Sequence, residues 1–139
     1  LIKRKLKPLS LIHDSSYIDK SSSIGSGVQI MPNAVIHCYS KIGDFCILNT
    51  SSTIDHECEI GVGVHIMGGV SIAGRVRIGN YATIGTNATI LPDIEISEGA
   101  FIGAGSVVRK NVKKNEIVVG NPAKFLKKNK HFIDLDFFK

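Results

Sequence analysis

The chain has 139 residues, of which 43% are apolar and none is tryptophan, and its formal net charge is +5 at pH 7. This length predicts a single domain whose core is built from aliphatic side chains. No apolar run is long enough to cross a bilayer, and three cysteines without a Cys-x-x-Cys motif exclude a disulfide framework and favour a reducing cytoplasm.

The first eleven residues lie before any regular pattern. Residues 1–11 are basic and contain Pro8. We interpret them as a linker or as the stub of a preceding domain.

From Ile12 to Val108 a large aliphatic residue recurs at every sixth position. This row consists of Ile12, Ile18, Ile24, Ile30, Ile36, Ile42, Leu48, Ile54, Ile60, Ile66, Ile72, Ile78, Ile84, Ile90, Ile96, Ile102 and Val108. Four positions after each member lies a small or slender residue, with Ile94 as the exception. A helix turns about 100° per residue, so steps of six leave no apolar stripe, and short strands joined by turns are predicted instead.

Glycine adds a longer period. Gly25, Gly43, Gly61 and Gly79 are 18 residues apart. Three hexads therefore form one coil of a triangular prism, in which successive coils pair in parallel about 4.8 Å apart. We expect nearly six coils over residues 12–112 and a basic cap and tail over residues 113–139.

Charge is distributed unevenly along the chain. Residues 12–108 carry 4 basic and 9 acidic residues, whereas the two ends carry 13 basic and 3 acidic residues. The basic residues of the ends include Lys3, Arg4, Lys5, Lys7, Arg109, Lys110, Lys113, Lys114, Lys124, Lys127, Lys128 and Lys130. Such ends suit nucleic acid, an acidic membrane or a polyphosphate ligand, or simply solubilise the solenoid.

One segment interrupts the apolar repeat with titratable groups. His56 and Glu57 follow Ile54 at an outward-facing corner, where a histidine beside a carboxylate is a candidate general base near neutral pH. A solvated corner pair is the alternative interpretation. His65 lies nine residues from His56, half of one coil, so the two side chains should point away from opposite sides of the prism.

The Ile-Gly-x-x-small-x hexads and the segment Gly120-Asn121-Pro122-Ala123-Lys124 resemble the hexapeptide-repeat acyltransferases. The resemblance implies an all-β, left-handed parallel β-helix. Asn121 as N-cap and Pro122 at the first helical position predict a short helix to about Lys128 that closes the last coil.

The segment Asp55-His56-Glu57-Cys58-x-Ile60-Gly61, followed by Val64-His65-Ile66 and Ala73-Gly74, is similar to one branch of that family. This branch contains sialic-acid O-acetyltransferases and nucleotide-aminosugar N-acetyltransferases, many of which carry an N-terminal α/β domain that holds the nucleotide-sugar. The resemblance implies that His56 is the base and that Glu57 orients it. It also implies that His65 contacts the thioester region of acetyl-CoA and that Gly74 leaves room for the acyl group.

The resemblance and the 18-residue spacing place three further residues along the pantetheine groove, namely Thr86, Ala104 and Pro122. The basic C-terminal cluster would meet the phosphates of CoA, with Lys124 as one candidate. Asn49 is a candidate contact for the acceptor, or alternatively a residue that only caps its coil.

The preferred function is transfer of acetyl from acetyl-CoA to the amine of a UDP-linked 4-amino-sugar, in a homotrimer with sites between subunits and without metal, nucleic-acid or membrane partners. Three alternatives stay open. They are O-acetylation of sialic acid or another hydroxyl, a non-catalytic trimeric or nucleic-acid-binding solenoid, and a zinc enzyme like the gamma-class carbonic anhydrases.

Overall fold

A computed structural model describes residues 7–130, so that Lys3, Arg4, Lys5 and the tail from His131 to Lys139 lie outside the described residues. The chain winds into a three-sided prism whose sides are three sheets, here called A, B and C. Strands are numbered in chain order, and all but the last two are two residues long.

Each sheet takes every third strand. Sheet A contains β1 (Leu11–Ile12), β4 (Gln29–Ile30), β7 (Ile47–Leu48), β10 (His65–Ile66), β13 (Thr83–Ile84), β16 (Phe101–Ile102), β18 (Glu116–Val119) and β19 (Lys124–Lys128). Sheet B contains β2 (Tyr17–Ile18), β5 (Val35–Ile36), β8 (Thr53–Ile54), β11 (Ser71–Ile72), β14 (Thr89–Ile90) and β17 (Val107–Val108). Sheet C contains β3 (Ser23–Ile24), β6 (Lys41–Ile42), β9 (Glu59–Ile60), β12 (Arg77–Ile78) and β15 (Glu95–Ile96).

The predicted 18-residue coil is confirmed by the strand register. Ile54 pairs with Ile72, and Ile72 with Ile90, in parallel ladders. The fold is an all-β, left-handed parallel β-helix of about six coils, as the resemblance implies. Among the described residues no helix is long and apolar enough to cross a membrane.

Both apolar rows of the sequence form the core. The large row is buried from Ile30 to Val108, and the small row fills the space at the corners. Cys46 and Cys58 are fully buried, as predicted, and this burial raises the pKa of each thiol. Cys38 lies outside both rows and is half-buried.

The predicted C-terminal helix is wrong, because the segment after Asn121 forms β19. This strand pairs antiparallel with β18, and the Ala123 N–H donates to the Val107 carbonyl at 2.8 Å. The physical reason is the open edge of β18, whose unpaired backbone groups form hydrogen bonds with a strand that a helix could not form. The end of the prism is therefore closed by a hairpin.

The same region ends the 18-residue period. Phe101 pairs with Ile117, an offset of 16 residues, so the last coil is two residues shorter than the others. Extending the period from Ala104 to Pro122 therefore does not reproduce the register at the cap.

Tight stacking of coils predicts a large effect of adding one methyl group at Gly79. A Cβ there would lie 2.5 Å from the Glu98 nitrogen and 2.9 Å from the Ser97 carbonyl carbon, both of them backbone atoms of the next coil. We expect Gly79→Ala to lower the free energy of unfolding by about 1–3 kcal/mol, because packed backbone must move. Urea denaturation followed by circular dichroism measures this.

Gly68→Ala is the matched control, since the nearest atom to its added Cβ is the Thr50 carbonyl oxygen at 3.3 Å. Equal denaturation midpoints for the two variants would contradict the stacking argument.

Candidate functional site

The corner between sheets B and C carries a paired histidine and carboxylate. His56 and Glu57 lie in the turn between β8 and β9, and the Nδ1 atom of His56 is 2.9 Å from Oε2 of Glu57. The two side chains are 38% and 55% exposed. An ionised carboxylate only accepts hydrogen bonds, so Nδ1 carries the proton and Nε2 is left with its lone pair. This arrangement suits a general base.

Gly74, one coil further on, makes room for the imidazole. A Cβ at position 74 would lie 2.5 Å from Nε2 and 2.6 Å from Cε1 of His56. The predicted stacking of positions 56 and 74 is therefore confirmed, and the basic nitrogen lies against the glycine. Any larger residue at 74 would displace the ring.

Backbone hydrogen bonds between coils hold this corner. The Glu57 N–H donates to the Cys38 carbonyl at 3.0 Å, and the Arg75 N–H donates to the His56 carbonyl at 2.9 Å. The His56 N–H donates to Oδ1 of Asp55 at 2.8 Å. The imidazole is thus carried by a fixed backbone, and only its side-chain torsions are free.

Two charged residues beside the pair were missed by the sequence analysis. Arg75 and Asp93 follow Glu57 at intervals of 18 residues, a signal that was available in the spacing. Nε and Nη2 of Arg75 donate to the two carboxylate oxygens of Asp93 at 2.7 and 2.9 Å. This fork lowers the pKa of the Asp93 carboxyl and raises the pKa of Arg75.

A second group of candidate residues lies on sheet A. His65 is in β10, between Ile47 and Thr83 in the strand register, and is half-buried. Its Nε2 atom is buried and has no hydrogen-bond partner among the described residues. Buried polar atoms are normally paired, so this nitrogen is available to a ligand or to another chain.

Thr86 and Ala104 are exposed in the turns that follow β13 and β16, at the corner between sheets A and B. Oγ1 of Thr86 lies 3.8 Å from the sulfur of Met67, two residues beyond His65. Both residues therefore border the outer face of sheet A.

The remaining candidates also lie at sheet A or its cap. Asn49 follows β7 and is half-buried, and its Oδ1 accepts the Thr50 N–H at 2.8 Å, as a capping asparagine does. Pro122 is exposed in the turn of the terminal hairpin, and Lys124 is exposed at the start of β19. Of the other cap lysines, Lys114 pairs with Glu98 at 2.9 Å and Lys128 with Glu116 at 3.5 Å.

The candidates thus form two groups that a single chain keeps apart. His56, Glu57 and Gly74 lie at the corner between sheets B and C, whereas His65 and Thr86 belong to sheet A or its border. In a three-sided prism the corner between two sheets lies opposite the third. The prediction that His56 and His65 lie on opposite sides of the prism is therefore confirmed.

Residues 7–130 contain no group of three or more histidine, cysteine or acidic side chains that could hold a metal ion. Cys58, although close to His56 in sequence, is directed inward and its thiol donates to the Ala73 carbonyl at 3.2 Å. The described part of the chain therefore lacks a donor set for zinc.

Comparisons with known proteins agree with this architecture. Residues 75–110 match the family model described as bacterial transferase hexapeptide (six repeats). PerB from Caulobacter crescentus, solved in complex with CoA and GDP-perosamine, has a TM-score of 0.89 and 31% identity over 91% of this chain and 61% of that one. A search of the curated proteins gives no match.

Two further solved structures are similar to this chain. The acetyltransferase domain of PglB from Neisseria gonorrhoeae FA1090, in complex with acetyl coenzyme A, has a TM-score of 0.88 and 35% identity over 90% of this chain and 61% of that one. WeeI from Acinetobacter baumannii AYE has a TM-score of 0.83 and 34% identity over 85% of this chain and 58% of that one. The chain thus spans about three fifths of the length of these proteins.

The contact between His56 and Gly74 generates a prediction that needs no knowledge of substrate. Gly74→Ala should displace the imidazole and shift the nitrogen and Cε1–H NMR signals of His56, while stability changes by less than about 1 kcal/mol because only a side-chain end must move. Gly68→Ala adds the same methyl group in the preceding turn, where no ring lies, and should leave these signals in place. Unchanged His56 signals in Gly74→Ala would show that the ring does not lie against the glycine.

Proposed function

We propose that this chain, which belongs to the hexapeptide-repeat family of left-handed β-helix proteins, carries the transferase domain of an acetyl-CoA-dependent sugar N-acetyltransferase. The acceptor is the amine of a nucleotide-linked amino-sugar, with a UDP-linked 4-amino-sugar as the first choice. The observation that carries this proposal is the His56–Glu57 pair, whose Nε2 lies at the surface against Gly74.

The similar proteins support the class of reaction. PerB was solved with both CoA and GDP-perosamine, and variants of the same perosamine N-acetyltransferase with one histidine replaced by asparagine or alanine were solved with the same ligands. The PglB domain was solved with acetyl coenzyme A. These ligands are the two substrates that the proposed reaction needs.

In the proposed mechanism His56 accepts a proton from the acceptor amine through Nε2. The amine nitrogen forms a bond to the thioester carbonyl carbon, and the carbon–sulfur bond then breaks. His56, now protonated on both nitrogens, gives the proton to the departing thiolate, so that an amide and free CoA result. Glu57 holds Nδ1–H throughout and stabilises the imidazolium. No serine or cysteine nucleophile is required.

We further propose that each active site forms between two subunits of a homotrimer. His56 and His65 lie on opposite sides of one prism, so they meet only if the corner of one chain faces sheet A of another. The buried and unpaired Nε2 of His65 would then face the thioester region of acetyl-CoA, beside Thr86 and Ala104. Lys124 would lie at the end of the same groove, near the CoA phosphates.

Replacement of the proposed base provides the first test. His56→Ala should lower kcat/KM for an amino-sugar acceptor by about 10²–10⁴-fold, because proton removal from the attacking amine is lost. Release of free CoA thiol measures the rate, and His13→Gln serves as control because His13 contacts only Ser15 among the side-chain hydrogen bonds described for it. A rate for His56→Ala within twofold of the parent would exclude the assignment.

The acceptor is identified by the same thiol assay. UDP- and GDP-linked 4-amino-sugars and free sialic acid should be compared at equal concentration. Turnover with sialic acid and none with the amino-sugars would replace N-acetylation by O-acetylation. No turnover with any acceptor would favour a solenoid that binds without catalysis.

Mixing two inactive variants tests the site between subunits. His56→Ala and His65→Ala chains, unfolded together and refolded as mixed trimers, should regain up to about a quarter of the parent activity, because random assembly pairs an intact His56 with an intact His65 at about one site in four. Separately refolded variants are the control. A mixture no more active than its components would contradict a shared site, as would a monomeric protein with full activity.

A further inference from the structure

We propose that Arg75, fixed by Asp93, is a positioning residue that orients the Glu57 carboxylate toward Nδ1 of His56. The role of this arrangement in catalysis rests on the proposed function, whereas its effect on the imidazole does not. Neither residue contacts the imidazole through a hydrogen bond of its own side chain in the described structure.

The three charged residues form one column along the corner. Glu57, Arg75 and Asp93 are 18 residues apart, so they lie on successive coils about 4.8 Å apart and alternate in charge. They also line a common surface groove. The charge of Glu57 contributes to the raised pKa of Arg75, which indicates that the two side chains interact favourably.

Asp93 fixes the direction of the guanidinium. Its two carboxylate oxygens bind Nε and Nη2 of Arg75, which is the planar two-point geometry that holds an arginine in a single orientation. The remaining N–H groups of the fork are then left on the side of the preceding coil, where Glu57 lies. A carboxylate attracted from that side has less freedom to turn away from His56.

The backbone at these positions adds an independent argument. Glu57, Arg75 and Asp93 have φ angles of 57°, 59° and 62°, a left-handed conformation that favours glycine. The equivalent turns at the other two corners use glycine in several coils, namely Gly27, Gly63, Gly69, Gly99 and Gly105. Large charged side chains at strained positions next to a candidate base point to a role in the site rather than in the turn.

A half-exposed ion pair by itself adds little to stability, so the test must separate orientation from mere surface charge. Arg77 offers the matched control. It lies two residues from Arg75, its guanidinium is 3.9 Å from Glu59, and its register partner in the next coil is Glu95. Arg77 therefore also lies between two carboxylates, but on sheet C and without a histidine beside them.

The experiment compares Arg75→Gln, Arg75→Lys, Asp93→Asn and Arg77→Gln in the full chain. Nitrogen NMR of the His56 imidazole measures the proportion of the form protonated on Nδ1 in the neutral ring, and steady-state kinetics measures kcat and KM for acetyl-CoA. We expect Arg75→Gln to lower the Nδ1–H proportion and to reduce kcat about three- to fivefold with KM unchanged. Asp93→Asn should act in the same direction, Arg75→Lys should retain most of the parent behaviour, and Arg77→Gln should change neither measurement.

An unchanged Nδ1–H proportion in both Arg75→Gln and Asp93→Asn would overturn the inference, and so would an equal change in Arg77→Gln. Because NMR reads the imidazole directly, it decides the positioning role even if the parent shows no turnover. Absence of turnover would count against the proposed function alone. If Arg75→Gln does not fold, Asp93→Asn and Arg75→Lys still decide the result.

Discussion

Backbone hydrogen bonding between successive coils is the constraint on which this structure depends. Two-residue strands have no stability of their own, and each N–H and C=O on the prism sides is satisfied only by the coil before or after it. Pairing in register requires each coil to have the same length. One inserted residue would move the large aliphatic side chains of every later strand out of the core.

The same constraint builds the candidate site. Positions 18 residues apart become neighbours, so a residue far away in sequence shapes the surroundings of His56. Gly74 provides the space for the ring, and Cys38 and Arg75 form the backbone hydrogen bonds on either side. The corner presents the imidazole on a rigid frame, and such a frame limits the motion that a base must make to reach its substrate.

The period also explains where inference from the sequence failed. After Val108 the large aliphatic row ends and the coil loses two residues. Asn121 and Pro122 have the local preferences of a helix start, but the free edge of β18 offers backbone partners that only a strand can use. A helix prediction considers the segment alone, whereas the hairpin depends on a sheet edge formed by residues earlier in the chain.

The sequence by itself determined the fold, the length of the coil, the buried rows and the placement of His56 and His65 on opposite sides of the prism. It could do so because side-chain direction follows from a fixed period once strands must pair coil upon coil. Only the tertiary structure decided which nitrogen of His56 is bound to Glu57, how Arg75 and Asp93 join in a fork, and how the last coil is closed. These features depend on side-chain torsions and on a free sheet edge, and neither is specified by spacing along the chain.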